Sequence, residues 1–147
     1  MSNPVSNTVS HKPSVLFVCV KNGGKSQMAA GLMRQLVGDQ VEVHSAGTRP
    51  GVDLNDLSVS TLHEVGVDIS AEVPKPVTPE LVMVADLVVT LGREATVEPV
   101  AGTQVQNWDT DEPSERGIEG AERMRLVRND IAARVRQLAN DLGVGTH

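Results

Sequence analysis

The sequence predicts a single α/β domain built on a four-stranded parallel sheet flanked by helices. Short segments rich in valine and leucine alternate with segments whose apolar residues recur every three or four positions, which is typical of strands that alternate with helices. The 147 residues, of which 39% are hydrophobic, are enough to bury one core. No repeat or linker divides the chain, so we expect one domain over residues 14–143.

The chain begins with a polar, aperiodic segment, residues 1–13, which predicts a disordered extension. Residues 14–20 then form a short, continuous apolar run, which predicts a buried strand. A helix that ends near Gly38 is predicted next. Its apolar residues recur at intervals of three and four, which places them on one face: Met28, Ala29, Leu32, Met33, Leu36 and Val37.

Residues 41–46 are rich enough in valine to predict the second strand, which ends in the turn Ser45-Ala46-Gly47-Thr48. The next helix is capped by Asp53 or Asn55 and ended by Gly66. Its predicted buried side carries four apolar residues: Leu54, Leu57, Leu62 and Val65.

A short helix over residues 79–85 leads into a third strand over 86–91, and residues 103–108 predict the fourth. The last helix has the clearest periodicity, and Gly143 ends it. Its apolar face carries Met124, Val127, Ile131, Val135, Leu138 and Leu142.

Cys19, the one cysteine of the sequence, lies where the first strand ends and a helix is about to begin. The loop amides and the helix N-terminus would converge there and create a site for an anion. We expect the backbone of five loop residues to bind that anion: Val20, Lys21, Asn22, Gly23 and Gly24. Lys25 and Ser26 would add a cation and a hydroxyl. This setting favours thiolate over thiol, so Cys19 is a candidate nucleophile rather than an inert core thiol.

The same residues allow a second interpretation. Residues 19–26 would match the nucleotide-binding pattern G-x-x-x-x-G-K-S if Cys19 were glycine, and Asp86 could pass for the accompanying acid. The match fails at its first position, where glycine allows the tight turn.

An acidic loop follows the predicted fourth strand. Its residues 109–117 read DTDEPSERG, and acidic loops are usually only solvated. In a parallel sheet, however, the end of this strand faces the Cys19 loop, and an oxygen that leaves an anion site needs a proton donor. Glu112 is the better candidate for this acid and Asp111 the second.

Composition narrows the partners. A net charge of −6 argues against nucleic acid or an anionic membrane as a partner. No apolar run reaches the length of a membrane span and no signal peptide is recognisable, so we expect a cytoplasmic protein. One cysteine allows no internal disulfide and no cysteine-based metal site. We expect no metal from the histidines, which are scattered at His11, His44, His63 and His147.

Together these motifs resemble the low-molecular-weight protein tyrosine phosphatase superfamily, and within it the arsenate reductases. Cys19-x5-Lys25-Ser26 lies where that superfamily has its Cys-x5-Arg-Ser anion loop, and Asn22 matches an asparagine that shapes the loop. The Ser45–Thr48 turn matches its SAGT turn. Glu112-Pro113 stands where the family has the Asp-Pro of its general-acid loop. The resemblance implies a phosphatase-like domain.

Two differences from the superfamily's pattern indicate which of its members the chain resembles. Lys25 replaces an arginine whose planar fork holds an oxyanion with two hydrogen bonds. The thioredoxin-coupled arsenate reductases pass a disulfide along further cysteines, which are absent from this sequence. The residues around Cys19 resemble instead the single-cysteine arsenate–mycothiol transferases. That resemblance implies arsenate as substrate, mycothiol as thiol co-substrate, a mycoredoxin-type reductant and no bound cofactor.

Other functions remain open. The chain could be a phosphatase for a small phosphorylated substrate, although it has no tyrosine, one phenylalanine and one tryptophan to wall an aromatic site. It could also be an oxyanion-binding module without turnover. The single cysteine requires only some external thiol, so glutathione is an alternative to mycothiol.

Overall fold

The computed structural model describes residues 12–98 and 100–145. A four-stranded sheet forms its centre, in the order β2-β1-β3-β4 with every neighbouring pair parallel. The strands are β1 (Ser14–Cys19), β2 (Glu42–Gly47), β3 (Leu87–Leu91) and β4 (Gln104–Trp108). The predicted α/β fold with a four-stranded parallel sheet is therefore confirmed, and each strand ends within one residue of its predicted end.

The central strand β1 is buried on both faces, which explains its continuous apolar sequence. Val15, Phe17 and Cys19 belong to the core on one side of the sheet, and Leu16 and Val18 to the core on the other. Because Cys19 is the last residue of this strand, the sheet fixes the position of its backbone.

Within the described residues, four helices pack around the sheet: α1 (Lys25–Val37), α2 (Asp56–His63), α3 (Pro79–Val84) and α4 (Gly120–Leu142). α1 and α2 both contact α4 over the larger core, whereas α3 packs against β1 over the smaller core. Thr78 and Pro79 set the start of α3, because the Thr78 hydroxyl accepts a hydrogen bond from the Leu81 N–H at 3.2 Å.

Helix α4 confirms its predicted apolar face. Five of the six predicted positions are buried and Leu142 is half-buried. The helix ends at Gly143, whose φ of 71° is the left-handed conformation that glycine adopts readily. The two aromatic residues of the sequence, Phe17 and Trp108, are both buried in this core, with ring centroids 5.6 Å apart.

Helix α2 corrects part of the prediction. Asn55 is its N-cap and accepts a hydrogen bond from the Ser58 N–H at 2.9 Å, so Asp53 is not the cap. Leu57 and Val65 were expected to be buried but are 37% and 41% exposed. The first turn of the helix packs Ser58 against the Cys19 loop, which turns Leu57 outward, and Val65 lies beyond the helix end at His63.

Residues 1–11 of the predicted N-terminal extension lie outside the described residues. The carbonyl of Pro13, directly before β1, accepts a hydrogen bond from the Glu42 N–H at 2.7 Å. Across residues 12–98 and 100–145, none of the helices combines the length and the apolarity that crossing a bilayer requires.

Candidate active site

The thiol of Cys19 lies at the base of a loop that connects β1 to α1. Two groups approach its Sγ: the Asn22 N–H donates at 3.2 Å, and the Ser26 hydroxyl oxygen lies 2.9 Å away. The Asn22 side-chain amide donates to the Ser26 hydroxyl oxygen at 2.7 Å, which leaves the hydroxyl hydrogen available to the sulfur. Two donors thus converge on Sγ, an arrangement that suits an anionic sulfur.

Asn22 has the backbone conformation that shapes the loop. Its φ of 54° lies in the left-handed region, where asparagine is more frequent than most residues with a side chain. The buried side chain is held from two sides, because its Oδ1 accepts from the Lys75 N–H at 3.0 Å and from the Gln27 amide at 3.2 Å. The loop is therefore braced by residues that follow it by 5 and 53 positions.

The carbonyl groups of the loop point away from the cysteine, toward a segment that follows β2. That segment donates to four of them, over 2.7–3.0 Å: Thr48 to Cys19, Arg49 to Val20, Gly51 to Lys21 and Asn55 to Gly23. In a trans peptide the C=O and the next N–H point in opposite directions. The amides of the following residues therefore face the interior of the loop and form a cradle for an anion.

Gly47, the last residue of β2, is needed for this contact. A Cβ at Gly47 would lie 2.7 Å from the carbonyl oxygen of Val20 and 3.0 Å from the backbone nitrogen of Asn22. Only a residue without a side chain lets the turn approach the loop this closely.

Lys25 lies at the mouth of the loop and binds an acid from the far side. Its Nζ donates to Oε1 of Glu112 at 2.5 Å, and both side chains are about three-quarters buried or more. Glu112 directly precedes the short 3₁₀ helix Pro113–Arg116. The structure thus brings Cys19, Lys25, Ser26 and Glu112 to one place.

Asp111 is oriented differently. Its carboxylate pairs with the Arg116 guanidinium at 2.8 and 3.2 Å, and its N–H donates to Asp130. The hydrogen bond from Arg116 holds the pKa of Asp111 below its usual range. Asp111 therefore stays ionised near neutral pH and is a poor proton donor.

A cleft of about 560 Å³, which we call the Cys19 cleft, opens above the sulfur. It lies between the ends of β1 and β3, where the chain order of the strands reverses, which is the usual ligand position in a parallel sheet. Phe17 and Trp108, the only aromatic residues of the sequence, are buried in the core and do not wall it. Its lining includes Cys19, Lys25, Gly92, Arg93, Glu112 and Arg123.

Sequence reasoning missed several residues of the site. Arg123, at the start of α4, lines the Cys19 cleft, and the segment 48–55 holds the loop. The SAGT turn signalled the start of this segment, but nothing in the spacing of Arg123 signalled its position. Within the described part of the chain, no group of histidine, cysteine, aspartate and glutamate residues could hold a metal ion.

The chain is similar in sequence to known proteins over most of its length. An arsenate reductase of Halalkalibacterium halodurans is 35% identical over 136 residues, which are 88% of this chain and 96% of the relative. One of Bacillus subtilis is 34% identical over 85% of this chain and 94% of the relative.

Two solved structures of arsenate reductases have the same fold as this chain. A thioredoxin-dependent arsenate reductase of Corynebacterium glutamicum superposes with a TM-score of 0.78 at 32% identity, over 95% of this chain and 66% of that chain. An arsenate reductase in a phosphate-binding state gives a TM-score of 0.76 at 28% identity, over 88% of this chain and 98% of that chain. The family model for the low molecular weight phosphotyrosine protein phosphatases matches residues 14–145, and the chain belongs to that family.

Proposed function

We propose that this chain is an arsenate reductase that transfers arsenic from arsenate to an external low-molecular-weight thiol. The choice of arsenate as substrate rests on the relatives named above, which are arsenate reductases. The transfer to an external thiol rests on one observation. Cys19, at the base of the anion loop, is the one cysteine of the sequence. A chain with one sulfur nucleophile cannot complete the reduction with a disulfide of its own.

Arsenate docks in the amide cradle, with its oxygens on the N–H groups of residues 20–25. The Lys25 ammonium neutralises part of its charge, and in doing so it moves from Glu112 to the substrate. Glu112, released from Lys25, lies at the mouth of the loop, where the leaving oxygen needs a proton donor.

The Cys19 thiolate attacks As(V), and the bond between arsenic and one of its oxygens breaks. Glu112 gives its proton to that oxygen, which leaves as water. Cys19 is now bonded to As(V), and the amides, Lys25 and Ser26 hold the remaining oxygens. No electrons have changed hands at this stage.

The external thiolate next attacks arsenic, the Cys19–arsenic bond breaks, and the Cys19 thiolate is restored. The product is a thiol conjugate of As(V). A redoxin thiol then attacks the sulfur of the conjugate, forms a mixed disulfide, and arsenic leaves with two electrons as arsenite. We propose mycothiol as the thiol and a mycoredoxin-type protein as the reductant, on the resemblance of the Cys19 loop. We place the reaction in the cytoplasm, where thiols stay reduced.

Mass spectrometry of arsenate incubated with the protein and mycothiol tests this proposal, with glutathione in a parallel reaction. We expect an arsenic–thiol conjugate with intact Cys19 and none with Cys19→Ser. A conjugate formed equally by Cys19→Ser would overturn the role of Cys19. A mixed disulfide on Cys19 together with free arsenite would show that the thiol attacks sulfur instead of arsenic.

The name of the matching family favours one other function, a phosphatase. The same loop, cysteine and acid can support transfer of a phosphoryl group. A cleft without aromatic walls fits a small non-aromatic phosphate ester better than phosphotyrosine. Release of phosphate from such an ester, lost in Cys19→Ser, would favour this function. Thermal stabilisation by arsenate without any turnover would instead indicate an oxyanion-binding module.

A further inference from the structure

A second cleft, of about 340 Å³, lies beside the Cys19 cleft on the other side of the loop. We call it the side cleft; Cys19 does not line it, so it is not the site of the reacting arsenic. The two clefts share four lining residues: Lys21, Gly24, Lys25 and Arg123. Gly24 presents no side chain at this divide, so a ligand in the side cleft lies next to the route to Cys19.

Arg123 differs from the other arginines around it on α4 in its partners. Its neighbours on α4 pair with carboxylates, Arg125 and Arg128 with Glu64 and Arg134 with Asp130. Within the described residues Arg123 pairs with no carboxylate, and its buried Nε has no hydrogen-bond partner. Its Nη1 donates a weak hydrogen bond to the Met124 sulfur, at 3.7 Å. A buried guanidinium N–H without an acceptor is unfavourable, so a ligand that brings an oxygen would be stabilised here.

The rest of the side cleft indicates what that ligand is. Met124 and Val127 of α4 provide an apolar wall, and Lys21 adds a second cation at the edge. Asp53 also lines the cleft and adds an acidic residue, whose carboxylate can accept from hydroxyl or amine groups. The combination fits a small organic molecule that carries carboxylate or hydroxyl oxygens.

We infer that the side cleft binds the body of the thiol co-substrate and that Arg123 is its main binding residue. The inference rests on the proposed function, because it assigns a site to the external thiol. A thiol that attacks arsenic on Cys19 must approach from the mouth of the loop, since the amide cradle holds the arsenic oxygens. From the side cleft its sulfur reaches that mouth across Gly24.

Binding of unreactive thiol analogues tests the site without turnover. We would titrate the protein with S-methylmycothiol and, separately, S-methylglutathione, using calorimetry. At least one should bind, and Arg123→Gln should weaken it about tenfold or more, as expected for loss of a charged hydrogen bond. Arg136→Gln is the matched control, because Arg136 is exposed on the same helix, roughly 20 Å further along its axis. Absence of binding by both analogues, or equal binding by Arg123→Gln, would overturn the inference.

Steady-state kinetics separates this inference from the proposed function. Arg123→Gln should raise KM for the thiol about tenfold, and by a larger factor than it raises KM for arsenate, because Arg123 also lines the Cys19 cleft. A conjugate that forms with unchanged thiol KM in Arg123→Gln would refute the side cleft and leave the transferase function standing. Analogue binding that depends on Arg123, in a protein that forms no conjugate, would refute the function and leave the site.

Discussion

Lys25 and Glu112 form an ion pair across the mouth of the Cys19 loop, with Nζ and Oε1 2.5 Å apart. The two residues are 87 positions apart in the sequence and come from opposite sides of the cleft. Lys25, the cation that we assign to the substrate, is thus bound to Glu112, the acid that we assign as proton donor. In the proposed reaction, an oxyanion competes with Glu112 for the Lys25 ammonium.

The first prediction concerns the acid. Glu112→Gln keeps the shape of the side chain, removes the proton and releases Lys25 to the substrate. We expect turnover to fall about 10²- to 10⁴-fold, the usual contribution of a general acid, with arsenate binding unchanged or tighter. Conjugate formation under saturating arsenate measures the first effect, and arsenate protection of Cys19 from alkylation measures the second.

Asp111→Asn is the comparison, because Asp111 is the second carboxylate of the same loop. Its ion pair with Arg116 keeps it ionised, so its loss should change turnover by less than about threefold, in line with a surface ion pair. A larger loss of turnover in Asp111→Asn than in Glu112→Gln would reverse the assignment of the acid.

The second prediction concerns the charge of Lys25. Lys25→Met removes the ammonium and leaves Glu112 without its partner. We expect arsenate affinity to fall roughly 10- to 100-fold, since a hydrogen bond to a charged group contributes about 1.5–3 kcal/mol. Lys25→Arg keeps the charge and should retain binding within about tenfold, because the guanidinium can form the fork that a lysine lacks. Equal affinities of the Lys25→Met variant and the parent protein would exclude Lys25 from the anion site.

The third prediction concerns the turn that holds the loop. Gly47→Ala places a methyl group 2.7 Å from the Val20 carbonyl oxygen, so the turn and the loop must separate. We expect a loss of stability of about 1–3 kcal/mol, as for other overpacked sites, and weaker arsenate binding. In Gly51→Ala the added methyl has no neighbour closer than 3.9 Å, and thermal unfolding should be nearly unchanged. Similar melting temperatures for the two variants would contradict this account of Gly47.

The fourth prediction concerns pH and the contact between α2 and α4. Hydrogen bonds from Arg125 and Arg128 lower the pKa of Glu64 from 4.5 to about 2. A carboxyl whose pKa is lowered by folding stabilises the folded state above its unfolded pKa, and loses that effect as the pH falls. Between about pH 4.5 and 2 the contribution of Glu64 should therefore disappear.

Urea unfolding of Glu64→Gln at several pH values tests this. The variant should be less stable than the parent protein at pH 7, and the difference should shrink as the pH falls below about 4.5. Glu98→Gln, at an exposed position, removes the same charge elsewhere and serves as the control. A difference that stays constant down to pH 3 would show that Glu64 acts through packing and not through its charge.

Most of the fold could be predicted from the sequence, because buried parallel strands and amphipathic helices have strong periodic patterns. The anion loop could be predicted equally well, since Cys19 is followed after three residues by two glycines, a lysine and a serine. Helix α2 was harder. Which side of its two turns is buried depends on the Cys19 loop packing against Ser58, and local periodicity contains no information about that contact.

The choice between Asp111 and Glu112 also needed the structure. The two residues are neighbours in the sequence with similar chemistry, and only their partners, Arg116 and Lys25, distinguish them. The position of Arg123 at the Cys19 cleft could not be predicted from the sequence for a related reason. An arginine in the first turns of an amphipathic helix is an ordinary surface residue until the elements facing it are known.

The conformation of residues 19–26 depends on four hydrogen bonds from residues 48–55 to the carbonyls of the Cys19 loop. These residues therefore cannot be moved to another protein on their own. Transplanting residues 19–26 alone onto another parallel sheet would leave these carbonyls free to turn inward, where they would repel an oxyanion. A designer who wants the anion cradle must also graft the strand-end turn and the chain up to Asn55. In hydrogen exchange, the four amides that donate these bonds should consequently exchange as slowly as those of a helix.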